Sequence, residues 1–524
     1  HLKGSNYFNI GNRSKAIKEA ILNAEPHETV LVAGKGHENY QDYGNKVISI
    51  SDRKIIKKLK INKKIINQKK QNYLFNSKIL NKIIKKKKLY KFDGLAIDSR
   101  DVKKDNLFLA IKGKNNDGNQ FISKAIKKGA SYVVSSKNNK KNKNKIIKID
   151  NPITFLNKFA KLKRENCNAK ILAITGSTGK TSLKNILNIL LQKYSNTYAS
   201  PRSFNNHYGV PVSLSNLNPN HQFGVFEVGM SKIGEINQLS KMIRPNLVII
   251  TNIAEAHIEN FSNIKGIAKA KSEIISNIQS NGTVILNRDD KFFNYLNAKA
   301  KSKNIKVITF GKSKKSDVHL IKIKKYGAIK EVIIRVKNEI LELRIKDINV
   351  YNVLASLAVL KEFDLNLKKT IKIFKNFQPS EGRGRIHKIK RYKKFFRLID
   401  ESYNANPFSV KNALNSFTEI KKDKFKKYLL LGDMLELGKK SEIYHRELSR
   451  LINRSDIDKV FVKGEKTLFT YKNLKKEKRG NIFQCNEDVD FILKNIIANN
   501  DYLMIKGSNA TGLNIISNAM IKGI

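Results

Sequence analysis

The sharpest change of hydrophobic period in the chain falls between residues 171 and 191. Ile171-Leu-Ala-Ile174 is a continuous apolar run, as expected of a strand buried on both faces. From Leu183 onward the apolar residues Ile186, Leu187, Leu190 and Leu191 recur at three and four positions, the spacing of one helix face. Gly176 and Gly179 punctuate the joint, so the pattern predicts strand, tight turn and helix. Comparable apolar runs enter polar turns at Asn246-Leu-Val-Ile-Ile-Thr251, Leu398-Ile-Asp400, Tyr428-Leu-Leu-Leu431 and Tyr502-Leu-Met-Ile505, with helical segments between them. That alternation predicts doubly wound α/β domains. Nearer the start, residues 16–22 have a helical pattern and residues 29–33 a strand pattern. Residues 58–88 are rich in Lys, Asn and Ile and read as a basic linker with helical tendency.

The joint at Gly176 reads as a phosphate-binding loop. Thr175-Gly-Ser-Thr-Gly-Lys-Thr181 can bring several backbone N–H groups together at a helix N-terminus, which glycine permits because it lacks a Cβ. Lys180 adds a mobile positive charge, and the Thr181 hydroxyl can reach a phosphate-bound Mg²⁺. The pattern G-x-x-x-x-G-K-[ST] would place glycine at position 174, where this chain has Ile174. Glu227 and His257 lie at or just past strand-type runs, whose ends converge on the ligand crevice of an open parallel sheet. A carboxylate and an imidazole there could hold a divalent metal against the phosphates.

Composition narrows the picture further. At 524 residues the chain should hold three or four domains, because single cores rarely grow past about 250 to 300 residues. Lys plus Arg number 103 against 44 Asp plus Glu, a net charge of +59 that favours polyanionic partners. The lysines are spread over the whole chain among Ile and Asn, which is a compositional bias rather than a nucleic-acid-binding stripe. Cys167 and Cys485 have no paired spacing, so neither a disulfide framework nor a zinc site is expected. No uninterrupted apolar stretch approaches a membrane span, and no secretory segment is evident, which makes the cytoplasm the default. The chain begins with His1 rather than Met, as a piece of a longer polypeptide would.

Several stretches resemble the Mur ligases. Ser203-Phe-Asn-Asn-His-Tyr-Gly209, Gly224-Val-Phe-Glu-Val-Gly-Met230, the run ending at His257, and Ala268-Lys-Ala-Lys-Ser-Glu273 follow the order of that family's ATPase domain. The resemblance implies that Glu227 and His257 bind Mg²⁺, that Asn205 and Asn206 sit at the muramoyl substrate, and that Lys271 is carbamylated to help bridge a second metal. Carbamylation requires a neutral amine, hence a depressed lysine pKa. Asn349 and Asn352, in Asp347-Ile-Asn-Val-Tyr-Asn352, match positions the family uses near the nucleotide, with Ile348 in place of a His.

Leu398-Ile-Asp-Glu-Ser-Tyr-Asn-Ala-Asn-Pro407 and Leu431-Gly-Asp-Met-Leu-Glu-Leu-Gly438 resemble the MurF branch in particular, which adds D-alanyl-D-alanine to UDP-N-acetylmuramoyl-tripeptide. By that resemblance Arg385 meets the ATP phosphates, Asp400 the ribose side, and Asn404 and Asn406 the dipeptide cleft. Asp98-Ser-Arg100, Leu107-Phe-Leu-Ala-Ile-Lys-Gly113 and Asp117-Gly118 resemble the domain around the uridine nucleotide, which assigns Ser99 and Arg100 to substrate, with Asn119 replacing a His. Gly34-Lys-Gly-His-Glu-Asn-Tyr-Gln41 and Ile48-Ser-Ile-Ser-Asp-Arg53 resemble the end of MurE, the ligase for the third amino acid, and imply that Gly34 and Glu38 face a diamino acid. The nucleotide loop of MurE does not precede His1, so residues 1–57 read as a remnant or as the end of a longer fusion.

The implied architecture is α/β: a MurE-like α/β extension (1–57), the linker (58–88), a UDP-substrate domain (89–168), a P-loop ATPase domain (169–378) and a Rossmann-like ligase domain (379–524). The implied chemistry is ATP- and Mg²⁺-dependent amide formation by a monomer, with no nucleic acid and no membrane insertion. Two alternatives remain open at this point. A folylpolyglutamate or cyanophycin-type ligase shares the loop and the metal residues but is not expected to carry Tyr403-Asn-Ala-Asn-Pro407. A basic nucleic-acid-binding protein retaining the fold is the non-enzymatic one.

Overall fold

A computed structural model describes residues 9–24, 29–34, 38, 40–42, 44, 46–113, 116–326, 329–421, 423–485 and 488–523. The chain forms two compact units, residues 1–159 and 160–524.

In the first unit, helix α1 (Arg13–Asn23) is capped by Asn12, whose side chain accepts from the Lys15 N–H. Helix α2 (Asp52–Ile84) runs for 33 residues, so the boundary expected at 57/58 falls inside a helix and most of the expected linker is helical. The reason is visible in its second half. Ile79 and Leu80 are buried, and so are Asn76 and Ser77, which donate to the carbonyls of Phe92 and Lys88 at 3.0 Å each. A free linker would have no such partners. The strand expected over residues 29–33 does not form. Its Leu31 is fully solvent-facing and the Ala33 carbonyl accepts instead from Arg13 Nη2, a guanidinium that also pairs with Asp52 at 2.6 Å. Beyond α2, strands β1 (Leu95–Ala96), β2 (Asn106–Leu109), β3 (Ala130–Ser135) and β4 (Ile146–Lys148) form a parallel sheet in sequential order.

The second unit is built on two sheets. The larger comprises β5 (Lys170–Thr175), β6 (Thr197–Ala199), β7 (Phe223–Glu227), β8 (Leu247–Ile250), β9 (Thr283–Asn287), β10 (Lys306–Gly311), β11 (Val318–Tyr326), β12 (Ile329–Val336) and β13 (Glu339–Lys346). Their order is β13-β12-β11-β10-β9-β8-β5-β7-β6. Strands β5 to β10 are parallel, whereas β12 and β13 extend the sheet as an antiparallel meander from β11. Continuous apolar runs suit the parallel part because both faces are covered: Ile171 and Ala173 enter one apolar cluster, Leu172 and Ile174 the opposite one. The chain leaves β5 to one side for β6 and β7, then crosses to the other for β8, so the carboxyl ends of β5, β7 and β8 open on one crevice.

The second sheet has β14 (Arg385–Arg391), β15 (Lys394–Glu401), β16 (Lys427–Gly432), β17 (Lys459–Lys463), β18 (Arg479–Phe483) and β19 (Tyr502–Lys506) in the order β14-β15-β19-β16-β17-β18. Its parallel core alternates in the same manner, with Leu429 and Leu431 on one face and Tyr428 and Leu430 on the other. Cys167 is a buried thiol and Cys485 an exposed one, and among the described residues no helix is long and apolar enough to cross a membrane.

Candidate active site

A cleft of about 2020 Å³ lies in the second unit, and the loop after β5 forms part of its wall. Gly176 has φ +143°, and a Cβ there would stand 1.9 Å from Thr251 Oγ1, so only glycine lets the chain pass β8 this closely. Residues 251–254 then brace the loop. Thr178 N–H donates to Asn252 Oδ1 at 3.0 Å, Thr251 Oγ1 donates to the Thr178 carbonyl at 2.6 Å, and Ser177 Oγ donates to the Ala254 carbonyl at 2.7 Å. Gly179, at φ +83°, opens helix α3 (Lys180–Leu191), with Asn352 Oδ1 packed against it. Ile174 is fully buried in β5, which is why the departure from the common glycine spacing leaves the turn intact. Thr175 is likewise interior and not in the cleft wall, so it supports the loop from behind.

Glu227, at the end of β7, is buried and heavily bonded. It accepts from Thr181 Oγ1 at 2.7 Å and from Asn205 Nδ2 at 2.8 Å, and Lys184 Nζ lies 3.7 Å away. Lys180 Nζ folds back on the Gly176 carbonyl at 2.7 Å. Desolvation lowers its pKa, with the Glu227 charge opposing and the Arg383 charge adding to the fall. Lys271 is buried in the same wall, and burial together with the charge of Lys180 drives its pKa well below the ordinary lysine value. Helix α4 (Val350–Glu362) is capped by Asn349, which accepts from Tyr351 N–H at 2.9 Å. Tyr351 in turn donates to Asp289 at 3.0 Å.

Of the other expected residues, His257, Asn206, Asn404 and Asn406 line the same cleft, whereas Arg385 and Asp400 do not. His257, at φ +58°, lies with Nδ1 2.5 Å from Glu436 Oε2 in the cleft wall. Asn206 accepts from the N–H groups of Tyr208 and Gly209, and so shapes the loop it sits on. Arg385 is absent from the cleft lining and pairs in register with Asp400 across β14 and β15. Arg383, two residues earlier, does line the cleft. Its Nη2 donates to Ser203 Oγ at 3.1 Å and its guanidinium stacks 4.1 Å over the Tyr403 ring. Asp400 is 1% exposed and wholly engaged: Oδ2 accepts from Gly382 N–H at 2.6 Å and Oδ1 from Ser402 Oγ at 2.6 Å. It holds the turn that aims Arg383. Asn406 caps helix α5 (Pro407–Thr418) in a reciprocal pair with Ser409, and the Asn404 side chain accepts from the Ala405 N–H. Lys506, buried and 3.3 Å from Glu401, donates to the Asn404 carbonyl.

Ser99, Arg100, Gly34 and Glu38 belong to the first unit. Ser99 is buried, while Arg100 is exposed and pairs with Asp98 at 2.7 Å. Gly34 has φ +101° beside the Arg13 guanidinium, and Glu38 is half-buried. Lys35, Gly36, His37 and Asn39 of the same motif lie outside the described residues.

Sequence reasoning passed over Arg383, Thr251, Asn252, Tyr351, Asp289, Lys184 and Lys506. The signal for Arg383 was its place between Gly382 and Gly384, both at positive φ, which marks the tip of a turn rather than a strand.

The Mur ligase middle domain matches residues 174–360, the Mur ligase glutamate ligase domain residues 384–509, and the Mur ligase family catalytic domain residues 91–164. A UDP-N-acetylmuramoyl-tripeptide–D-alanyl-D-alanine ligase of Rickettsia prowazekii is 34% identical over 424 residues, covering 80% of this chain and 93% of that one. Among solved structures, MurF from Acinetobacter baumannii superposes with a TM-score of 0.72 at 24% identity, over 85% of this chain and 98% of the other. MurF from Thermotoga maritima, in complex with ADP, gives 0.68 at 24% identity, over 82% and 97%. With its cleft built from these motifs and three domain profiles matching most of residues 91–509, the chain belongs to the Mur ligase family.

Proposed function

We propose that this chain joins D-alanyl-D-alanine to UDP-N-acetylmuramoyl-tripeptide, using ATP and Mg²⁺. The observation that carries the reading is the convergence of Lys180, Thr181, Glu227, Lys271 and Arg383 on one cleft, in a family member similar along most of its length to ligases named for that reaction. In this reading the terminal carboxylate of the tripeptide attacks the γ-phosphorus of ATP. The bond to the bridging oxygen breaks, ADP leaves, and an acyl phosphate forms. The amine of the dipeptide then attacks the acyl carbon and loses a proton, and the carbon–oxygen bond to phosphate breaks to give the amide. Most of the rate enhancement is positioning and charge neutralisation, the work of Lys180 and Arg383.

Among the described residues, no cluster of three or more His, Cys, Asp or Glu side chains could hold a metal alone. That suits Mg²⁺, which is commonly bound by one or two protein groups together with substrate phosphates. The Glu227 carboxylate and the adjacent Thr181 hydroxyl fit such a site, and the metal would neutralise charge on the transferring phosphoryl group. The lowered pKa of Lys271 supplies the neutral amine that adds to CO₂ as a carbamate, a second anionic donor. His257 Nδ1 is held by Glu436, which leaves Nε2 as the ring nitrogen that would face a metal.

The reading extends to a monomeric, cytoplasmic enzyme, and to residues 1–57 as a MurE-like segment. Gly34 and Glu38 support the latter, and addition of a diamino acid to the UDP-muramoyl dipeptide by a longer chain carrying this segment would test it. The main test is phosphate release with UDP-N-acetylmuramoyl-tripeptide, with and without D-alanyl-D-alanine; release with neither combination overturns the function. Lys271→Ala should lose activity and regain part of it with short carboxylic acids. A variant that keeps full activity removes the carbamate.

A further inference from the structure

Glu227 carries more positive charge than a metal ligand requires. Lys184 stands one turn beyond Thr181 on α3, on the same helix face, and its side chain is 1% exposed. Its ammonium group lies 3.7 Å from Glu227 Oε2 and donates to the carbonyl of Arg202, while Lys180 adds its charge toward Glu227 and Arg383 acts on both lysines. Burying an ammonium group is unfavourable, and a methionine of similar length would fill the same space without that penalty. The charge therefore has a use other than packing. Cations on this carboxylate disfavour the arrival of another cation, because like charges a few ångströms apart in a poorly solvated site repel strongly.

We propose that Lys184 is a resident counter-ion for Glu227 that competes with divalent metal, so that the site holds Mg²⁺ only when nucleotide phosphates arrive with it. This rests on the Glu227 metal site described above. A nucleotide-free protein of this design keeps its carboxylate aimed without trapping a metal ion, and the phosphates tip the balance by adding negative charge.

The test is Mn²⁺ binding to the nucleotide-free protein, followed by electron paramagnetic resonance of the free ion. Lys184→Met and Lys184→Gln should both bind Mn²⁺ about tenfold more tightly than the parent, as expected for loss of a cation at this range. The glutamine variant retains a donor for the Arg202 carbonyl, so agreement between the two separates charge from loop support. Melting temperatures should stay near the parent value, and Glu227→Gln added to Lys184→Met should erase the gain. Unchanged or weaker Mn²⁺ binding in the folded variants overturns the proposal, because structural damage acts in that direction. Failure of both variants to fold assigns Lys184 to the core and overturns it equally. If Glu227→Gln alone leaves Mn²⁺ binding at the parent level with ADP present, it is the metal site that fails, independently of Lys184.

Discussion

The loop after β5 and the loops at the start of the ligase domain both carry dense motifs, yet their motif residues do opposite jobs. In residues 175–181 Lys180 and Thr181 face the ligand space, Thr175 and Ser177 hold the loop from behind, and the rest of the bracing comes from elsewhere, chiefly Thr251 and Asn252. In residues 382–406 the conspicuous side chains are themselves the bracing: Asp400 holds Gly382 and Ser402, and Asn406 caps α5. Arg383, which the loop presents to the cleft, is an inconspicuous neighbour. A glycine-rich motif marks backbone that must approach a ligand. An Asp- and Asn-rich motif more often marks a turn that satisfies its own N–H groups.

The largest effect should come from the first region. Lys180→Ala is expected to cut phosphate release by about a thousandfold or more, since it removes a charge aimed at the transferring phosphoryl group. Its melting temperature should stay within a few degrees of the parent. Comparable turnover in that variant would dissolve the distinction between the two loops.

Next in size is a contrast inside the second region. Arg383→Ala should lower phosphate release by about a hundredfold, the scale seen when one transition-state donor is deleted, whereas Arg385→Ala should leave it near the parent rate. The reverse ranking would restore Arg385 to the phosphates and show that β14 shifts when ligand binds.

These two arginines show where sequence reading stopped. The strand–loop–helix at 170–191 was legible because its hydrophobic period changes abruptly and its glycines have one geometric use. Glu227 was legible as a strand-end carboxylate in an otherwise apolar run. Arg383 and Arg385 were not separable from sequence, because they differ by two residues and only the turn at Gly382 and Gly384 decides which one leaves the sheet. In residues 58–88 the helical tendency was legible but the packing was not, because lysine dominates the composition and the few buried positions of α2, such as Ile79 and Leu80, are diluted among exposed ones. Pairings across long sequence distances, such as His257 with Glu436 or Lys184 with Arg202, leave no local signature.

A third, smaller effect distinguishes bracing from binding. Asp400→Asn should cost about 1–3 kcal/mol of stability, because an amide nitrogen would face either the Gly382 N–H or the Ser402 N–H. Thermal unfolding would register the loss, and activity should follow the folded fraction. Full stability with a raised KM for ATP would return Asp400 to the ribose.

The smallest effect tests whether the cleft is held by charge at its far wall. Lys325 and Lys330 are directly opposite on β11 and β12, a repulsive placement that Glu419, past the end of α5, relieves by accepting from both at 2.7 and 3.1 Å. All three groups are about a third exposed or more, so Glu419→Ala should change stability by less than about 1 kcal/mol. Its consequence should be geometric. With the bridge gone, the two lysines repel and nothing ties the β11–β12 hairpin to the ligase domain at this point. Small-angle scattering of the ligand-free variant should therefore give a larger radius of gyration than the parent at low salt. The difference should shrink near 1 M salt, where the screening length is about 3 Å, because the parent's bridge is screened as well. Identical scattering at both salt levels would mean that Arg383 on Ser203 and Glu436 on His257 hold the wall without help from charge at Glu419.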